Sequence, residues 1–257
     1  ISSPKDYLRW MQNRIKRDIL EKLPMNNLAT AYKKGGSIKN NAIPHLKKQV
    51  VVKIDLKDFF FSISFSRVRG YFHSLGYSSG MATIFALICC DCQREIIDYK
   101  GKKYYVAKSR RRLKQGALTS PILSNLIAQN MDNRISKLVK ACDPEASYTR
   151  YADDIAISVN SNFSEKILGL VNKIIKEEGF YVNPHKFKVM REPQEKIITG
   201  IKCNGSTLNL PRKYIKNLRA EIYNAYKKNN VLSSSIMGKI NYVGHINPEQ
   251  VAKLGLK

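Results

Sequence analysis

Acids are in short supply in this 257-residue chain: Asp and Glu number 20 against 45 Lys and Arg, a formal net charge of +25. That imbalance far exceeds what solubility needs and favours a polyanionic partner, because a phosphate backbone releases its counterions to arriving cations. Long apolar runs are also missing. No stretch reaches the roughly 20 apolar residues that cross a bilayer, so a spanning role is not expected and a membrane surface is the weaker reading of the charge. A charged-then-apolar leader is absent from the opening residues, which predicts a cytoplasmic protein. The cysteines are few and odd in number, five, and argue against a disulfide framework. Cys89, Cys90 and Cys92 follow the apolar run Ile84-Phe85-Ala86-Leu87-Ile88 and read as buried thiols of a core helix. Without a second Cys/His pair at ligand spacing, zinc is not expected there. Repeats and low-complexity tracts are absent, and the length allows a sizeable core in one or two domains.

Against that background the stretch Tyr151-Ala152-Asp153-Asp154 stands out. β-Branched and aromatic residues flank it on both sides, so residues 147–159 read as a hairpin with two acids at its tip. Adjacent carboxylates raise each other's pKa unless a cation relieves them. Mg²⁺ is suited to the task, since it binds through one or two carboxylates together with substrate phosphates. A plain polar turn would show the same residues, so the reading needs support from elsewhere.

Residues 4–23 predict a helix from the spacing of Leu8, Met11, Ile15, Ile19 and Leu23, ended by Pro24. A basic, glycine-bearing loop at 32–39 follows, and Asn40 to His45 reads as the cap and first turn of a short helix. Residues 50–56 form a buried-strand pattern ending on Asp55, a position from which an acid reaches into a crevice beyond a sheet or caps the next helix. Two helices are expected at 66–75 and 79–92, then a hairpin at 95–107 with Lys100-Gly101-Lys102-Lys103 at its centre. The dense run Lys108-Ser109-Arg110-Arg111-Arg112-Leu113-Lys114 leans toward phosphate contact because it abuts the next motif.

That motif is Gln115-Gly116 with Ser120-Pro121. Gly116 permits a tight turn, and Ser120 followed by proline predicts the N-cap and first position of a helix to about residue 141. Gln115 and the helix amides offer fixed donors to a ribose, base or phosphate. Beyond the central hairpin come a helix at 163–178, a turn at 181–188 leading to a strand, and a strand at 197–201. The last is expected to close a hairpin with 206–210 through Asn204-Gly205. From residue 211 the chain is helical, basic and tyrosine-bearing, with helices near 211–228, 232–244 and 247–255. We place a boundary near Leu210, between residues 1–210 and 211–257.

In this order the apolar strand ending in Asp55, Gln115-Gly116 with Ser120-Pro121, and Tyr151-Ala152-Asp153-Asp154 resemble the palm of reverse transcriptases. The likeness continues through residues 179–188 and Ile198-Thr199-Gly200. Asn41-Ala42-Ile43-Pro44-His45 resembles an element of the bacterial retron type, and Ile198-Thr199-Gly200 matches its Val-Thr-Gly with Ile for Val. The resemblance implies an α+β fold: a right-hand polymerase palm, an antiparallel sheet with helices, with partial fingers in 1–210 and a helical basic thumb in 211–257. Such proteins carry more chain ahead of residue 4, with finger strands and basic residues that hold the triphosphate, and this sequence opens at Ile1.

The implied activity is RNA-directed DNA synthesis with two Mg²⁺ ions, Mn²⁺ being the alternative. The resemblance makes Asp55, Asp153 and Asp154 catalytic metal ligands, with the Leu56 carbonyl lending an oxygen, and gives Lys186 the proton for the departing pyrophosphate, though a surface lysine would look the same. It assigns the nucleotide to Phe60, Gln115, Gly116 and Tyr151. Phe60 would exclude a ribose 2′-hydroxyl, or else be one of three consecutive phenylalanines in a core. Primer and RNA would fall to Asn41, His45, Thr199, Gly200, Arg212, Lys213 and Arg219. The implied partners are dNTPs, a cognate noncoding RNA, the RNA–DNA hybrid and a defence effector protein. Priming from a 2′-hydroxyl would give a branched hybrid. The alternatives are an intron-associated or abortive-infection polymerase, or an RNA-binding scaffold without turnover.

Overall fold

The computed structural model describes residues 4–160, 165–229 and 231–255. In chain order the helices are α1 (Asp6–Asp18), α2 (Ile38–Ala42), α3 (Phe65–Ser74), α4 (Ser79–Cys89), α5 (Ser120–Cys142), α6 (Glu165–Glu177), α7 (Arg212–Asn229), α8 (Ser234–Ile246) and α9 (Pro248–Ala252). The strands are β1 (Val50–Asp55), β2 (Cys90–Asp91), β3 (Arg94–Tyr99), β4 (Lys102–Ala107), β5 (Arg112–Leu113), β6 (Ser147–Tyr151), β7 (Asp154–Val159), β8 (Lys188–Arg191), β9 (Ile197–Ile198) and β10 (Ile201–Lys202).

A four-stranded antiparallel sheet in the order β6-β7-β1-β8 forms the centre. Because side chains alternate across a strand, the register assigns each face its own work. Val50, Val52 and Ile54 of β1, with Ile155, Ile157 and Val159 of β7, enter a large core. Leu123, Met131, Ile135 and Val139 of α5 and Val171 and Ile175 of α6 complete that core. The opposite face carries Val51, Ala156 and Met190 into a second core, shared with Ile198, Ile201, Leu218, Ile222, Ile240 and Val243. Lys53, Asp55 and Asp154 lie on this second face, beyond the point where the apolar residues stop.

Several boundaries depart from the sequence reading. The helix expected over 4–23 breaks at Ile19 (φ −119°, ψ −65°) and continues only as a 3₁₀ turn. Ser37, whose side chain accepts from the Asn40 amide, starts α2 earlier than Asn40. Cys90 adopts an extended conformation and pairs with Leu113, so of the three clustered cysteines only Cys89 is helical, although all three are buried. Thr119, already helical, is the residue before α5; Ser120 lies inside it, its hydroxyl buried without a hydrogen-bond partner among the described residues. The hairpin after Ile198 is tighter than expected. Thr199 (φ 44°) and Gly200 (φ 82°) form its two-residue turn and β9 pairs with β10, while 206–210 joins only through a bridge between Lys202 and Asn209. Left-handed conformation at both central positions suits such a turn to the strand twist. The start expected for α6, residue 163, lies outside the described residues.

Candidate active site

The hairpin of β6 and β7 turns at Ala152 and Asp153. Ala152 has φ 58°, a left-handed conformation that a residue with a Cβ adopts at a cost. What holds it lies beneath. Arg150 points to the helix side of the sheet and has no solvent exposure. Its Nε and Nη2 donate to Asp132 of α5 at 2.7 and 2.8 Å, and its Nη1 donates to Asn125 Oδ1 (3.1 Å) and the Ala152 carbonyl (3.0 Å). Asn125 in turn donates to the Ala31 carbonyl at 2.7 Å. The guanidinium carbon lies 5.3 Å from the Phe59 ring centroid. A single buried bracket therefore fixes the acid turn and the loop leading to Tyr32. Neither Arg150 nor Asp132 was singled out from the sequence.

Antiparallel register sets Asp55 opposite Asp154, and the Leu56 amide donates to the Asp153 carbonyl at 2.9 Å. Residues about a hundred positions apart in sequence are thus brought to one end of the sheet. Asp55 is 6 % exposed. Asn183 Nδ2 donates to its Oδ1 at 3.1 Å and Lys186 Nζ to its Oδ2 at 2.9 Å, while Lys53 Nζ lies 3.6 Å from Asp154 Oδ2. Burial, reinforced by the charges of Asp55 and Asp154, raises the Asp153 pKa, and Lys186 opposes the rise. The hydrogen bond and charge of Asp55 raise that of Lys186.

Among the described residues no three His, Cys, Asp or Glu side chains form a ready cage for a metal ion. The donors nonetheless fit Mg²⁺. They are hard oxygens, they carry an excess of like charge, and that ion completes its shell with water and phosphate instead of an all-protein cage. Lys186 and Lys53 supply the counter-charge in this arrangement.

Phe60 is half-buried, its ring between Phe59 (5.6 Å) and Tyr32 (6.2 Å). Tyr32, left-handed at φ 57°, belongs to the same neighbourhood: burial first, then the Asp153 charge, raises its phenol pKa. The basic glycine loop that contains Tyr32 was the only signal for it. Gln115 and Gly116 form an exposed turn ahead of α5, Gly116 having φ 109°. Tyr151 is the register partner of Asp154 at the end of β6.

Two residues assigned to RNA do not reach the surface. Asn41 and His45 are both 0 % exposed. His45 lies between Ser158 Oγ (2.7 Å) and Thr149 Oγ1 (2.8 Å), and Asn41 accepts from the Thr30 hydroxyl at 2.9 Å. We correct the expectation of a surface contact: His45 ties the turn after α2 to β6 and β7, Asn41 ties α2 to Thr30, and both side chains are buried. Asn41 Nδ2 also lies 3.5 Å from Thr199 Oγ1, which links it to the Thr199-Gly200 turn. Arg212 and Lys213 are exposed at the start of α7; Arg219, also exposed, donates to the Lys253 carbonyl.

Residues 1–246 match the family model described as "Reverse transcriptase (RNA-dependent DNA polymerase)". The retron Mx65 reverse transcriptase of Myxococcus xanthus is 35 % identical over 257 residues, covering 99 % of this chain and 60 % of that protein. The retron Ec86 and Ec73 reverse transcriptases of Escherichia coli are 30 % and 31 % identical, with 73 % and 82 % of their lengths covered. The chain thus spans somewhat less than two thirds of the Mx65 protein. Among solved structures, a telomerase from Candida albicans in complex with a fragment of telomeric RNA superposes with a TM-score of 0.51. That match is 12 % identical and covers 96 % of this chain and 48 % of the other, a likeness of fold.

Proposed function

The chain belongs to the reverse transcriptase family and, within it, to the retron group; on that premise we propose that it is an RNA-directed DNA polymerase copying a cognate noncoding RNA into single-stranded DNA. The observation that carries the proposal is the meeting of Asp55 with Asp154 in register, with Asp153 in the turn between β6 and β7. Asp55, Asp153 and Asp154 are the residues that would hold Mg²⁺, or Mn²⁺ in its place, with the Leu56 carbonyl beside them. Bound there, a pair of such ions would lower the pKa of the primer hydroxyl and clamp the departing pyrophosphate.

The remaining work falls to side chains. Lys186, kept protonated by Asp55, gives a proton to the leaving pyrophosphate. Phe60, held by Tyr32 and Phe59, lies under the deoxyribose and leaves no room for a 2′-hydroxyl. Gln115, Gly116 and Tyr151 receive the nucleotide and its template base. The Thr199-Gly200 turn steadies the primer end, and Arg212, Lys213 and the free donors of Arg219 grip an RNA–DNA duplex. In this reading residues 1–210 are fingers and palm and 211–257 the thumb. A-form shape, read through phosphates and 2′-hydroxyls, suits so basic a chain.

The finer reading is retron-like: priming from an RNA 2′-hydroxyl, a branched product, an effector protein and a role against phage, in the cytoplasm. No helix among the described residues is long and apolar enough to cross a membrane. The test is synthesis of labelled DNA from RNA, dNTPs and Mg²⁺ by the purified protein. Asp55→Asn and Asp153→Asn should each abolish it, and continued synthesis by either variant would overturn the assignment. A 2′–5′ bond joining product to RNA would establish the priming mode, and phage plating with and without the intact acids would test defence.

A further inference from the structure

Asn183 plays no part in the chemistry above, yet it touches the most buried of the three acids. It precedes a proline, and the pyrrolidine ring keeps a residue in that position out of the helical region. Asn183 is accordingly extended (φ −85°, ψ 105°) and caps the 3₁₀ turn Pro184–Lys186, its Oδ1 accepting from the His185 amide at 3.3 Å. That bond settles which way the side-chain amide faces. With Oδ1 committed to His185, Nδ2 turns toward Asp55 and donates to its Oδ1 at 3.1 Å.

The segment is fastened to the end of β1 as well. Lys57 N donates to the Tyr181 carbonyl at 2.7 Å, and Asn183 N donates to the Asp55 carbonyl at 2.8 Å. An antiparallel bridge joins Leu56 to Val182 between them. Backbone and side chain of Asn183 therefore grip the same residue. The two carboxylate oxygens of Asp55 are held unequally. Lys186 reaches Oδ2 from a flexible stem, its side chain 62 % exposed, whereas Asn183 reaches Oδ1 from a capped turn. In the proposed chemistry the ammonium turns to the pyrophosphate, and the neutral amide stays where its turn holds it.

We propose that Asn183 is a positioning residue: its amide clamps Oδ1 of Asp55, so that the carboxylate keeps one orientation toward a divalent ion whether or not Lys186 is in contact. The consequence for synthesis rests on the polymerase reading; the consequence for metal affinity rests on the geometry. A hydrogen bond that orients a ligating carboxylate is worth about ten- to a hundredfold in metal affinity.

The experiment measures Mn²⁺ binding to the full chain by electron paramagnetic resonance, with no nucleotide or nucleic acid added. Asn183→Ser keeps a hydroxyl able to cap the turn and removes the donor to Asp55. It should weaken Mn²⁺ about tenfold with the melting temperature unchanged. His185→Ala alters the same turn and retains the backbone amide that Asn183 accepts from, so it should bind Mn²⁺ as the wild type does. In synthesis assays Asn183→Ser should raise the Mg²⁺ concentration for half-maximal rate and retain kcat at saturating Mg²⁺, a split that a damaged fold would not give.

Unchanged Mn²⁺ affinity in Asn183→Ser, or an equal loss in His185→Ala, overturns the proposal. A melting temperature that falls in Asn183→Ser makes the residue a support of the turn and overturns it too. So does a wild-type chain that binds no Mn²⁺, which would remove the metal assignment with it. A chain that binds Mn²⁺, loses it as expected on substitution and makes no DNA would instead sink the polymerase reading and leave the role of Asn183 standing.

Discussion

Lys186 and Asp55, 131 residues apart, form an ion pair of 2.9 Å at the mouth of the acid cluster. The contact makes Lys186 a counter-ion of Asp55, and the proposed mechanism adds the role of proton donor. Lys186→Gln should slow nucleotide addition on the order of a hundredfold, within the range of general-acid effects, with RNA affinity unchanged. Rapid-quench kinetics decide it. An unaltered rate would leave Lys186 only the first role.

Arg150 and Asp132 form a pair with no solvent exposure on either side chain. Removing one partner strands a charge, so Arg150→Met should destabilise the chain by about 3–5 kcal/mol, read from urea unfolding. Combining it with Asp132→Leu should restore part of that stability. Activity should stay low in the double variant, because Ala152 has still lost its donor.

Phe60 has neighbours on two sides, Phe59 and Tyr32, and a core beneath. Phe60→Ala should admit ribonucleotides, seen as a lowered KM for rNTP relative to dNTP. Unchanged sugar selectivity would remove that role and leave the ring as packing alone.

His45 carries a pH signature. Burial first, and the Lys48 charge second, push its pKa down to about 3 from the ordinary 6.5. The unfolded chain therefore binds the extra proton between those values. Its stabilising contribution is complete above pH 6.5 and is lost as pH falls toward 3, by about 1.4 kcal/mol per pH unit. Urea midpoints across pH 4–7 should show this slope, and His45→Gln should flatten it.

Much of this was legible in the chain. The apolar strand ending on Asp55 and the two-acid hairpin read correctly, because short runs of β-branched and aromatic residues, buried almost throughout, leave a strong mark. Helices α3, α5 and α7 were equally clear in outline. What escaped were contacts between distant segments. Arg150 lies within the very hairpin that drew attention, yet an arginine on a strand reads as outward-facing until Asp132 is known to lie beneath it. The resemblance assigned Asn41 and His45 to RNA, but no local pattern shows that Ser158, Thr149 and Thr30 satisfy them inside. The turn at Thr199 defied expectation because a β-branched residue rarely accepts φ 44°, so Asn204-Gly205 looked the better turn.

The ribbon of β3 and β4 has every strand residue exposed and lends nothing to either core. It is therefore the natural place for a handle. A fluorophore or short affinity sequence spliced between Lys100 and Gly101 would ride outside the working parts. Such a reporter would let the protein be followed or captured with both cores left undisturbed.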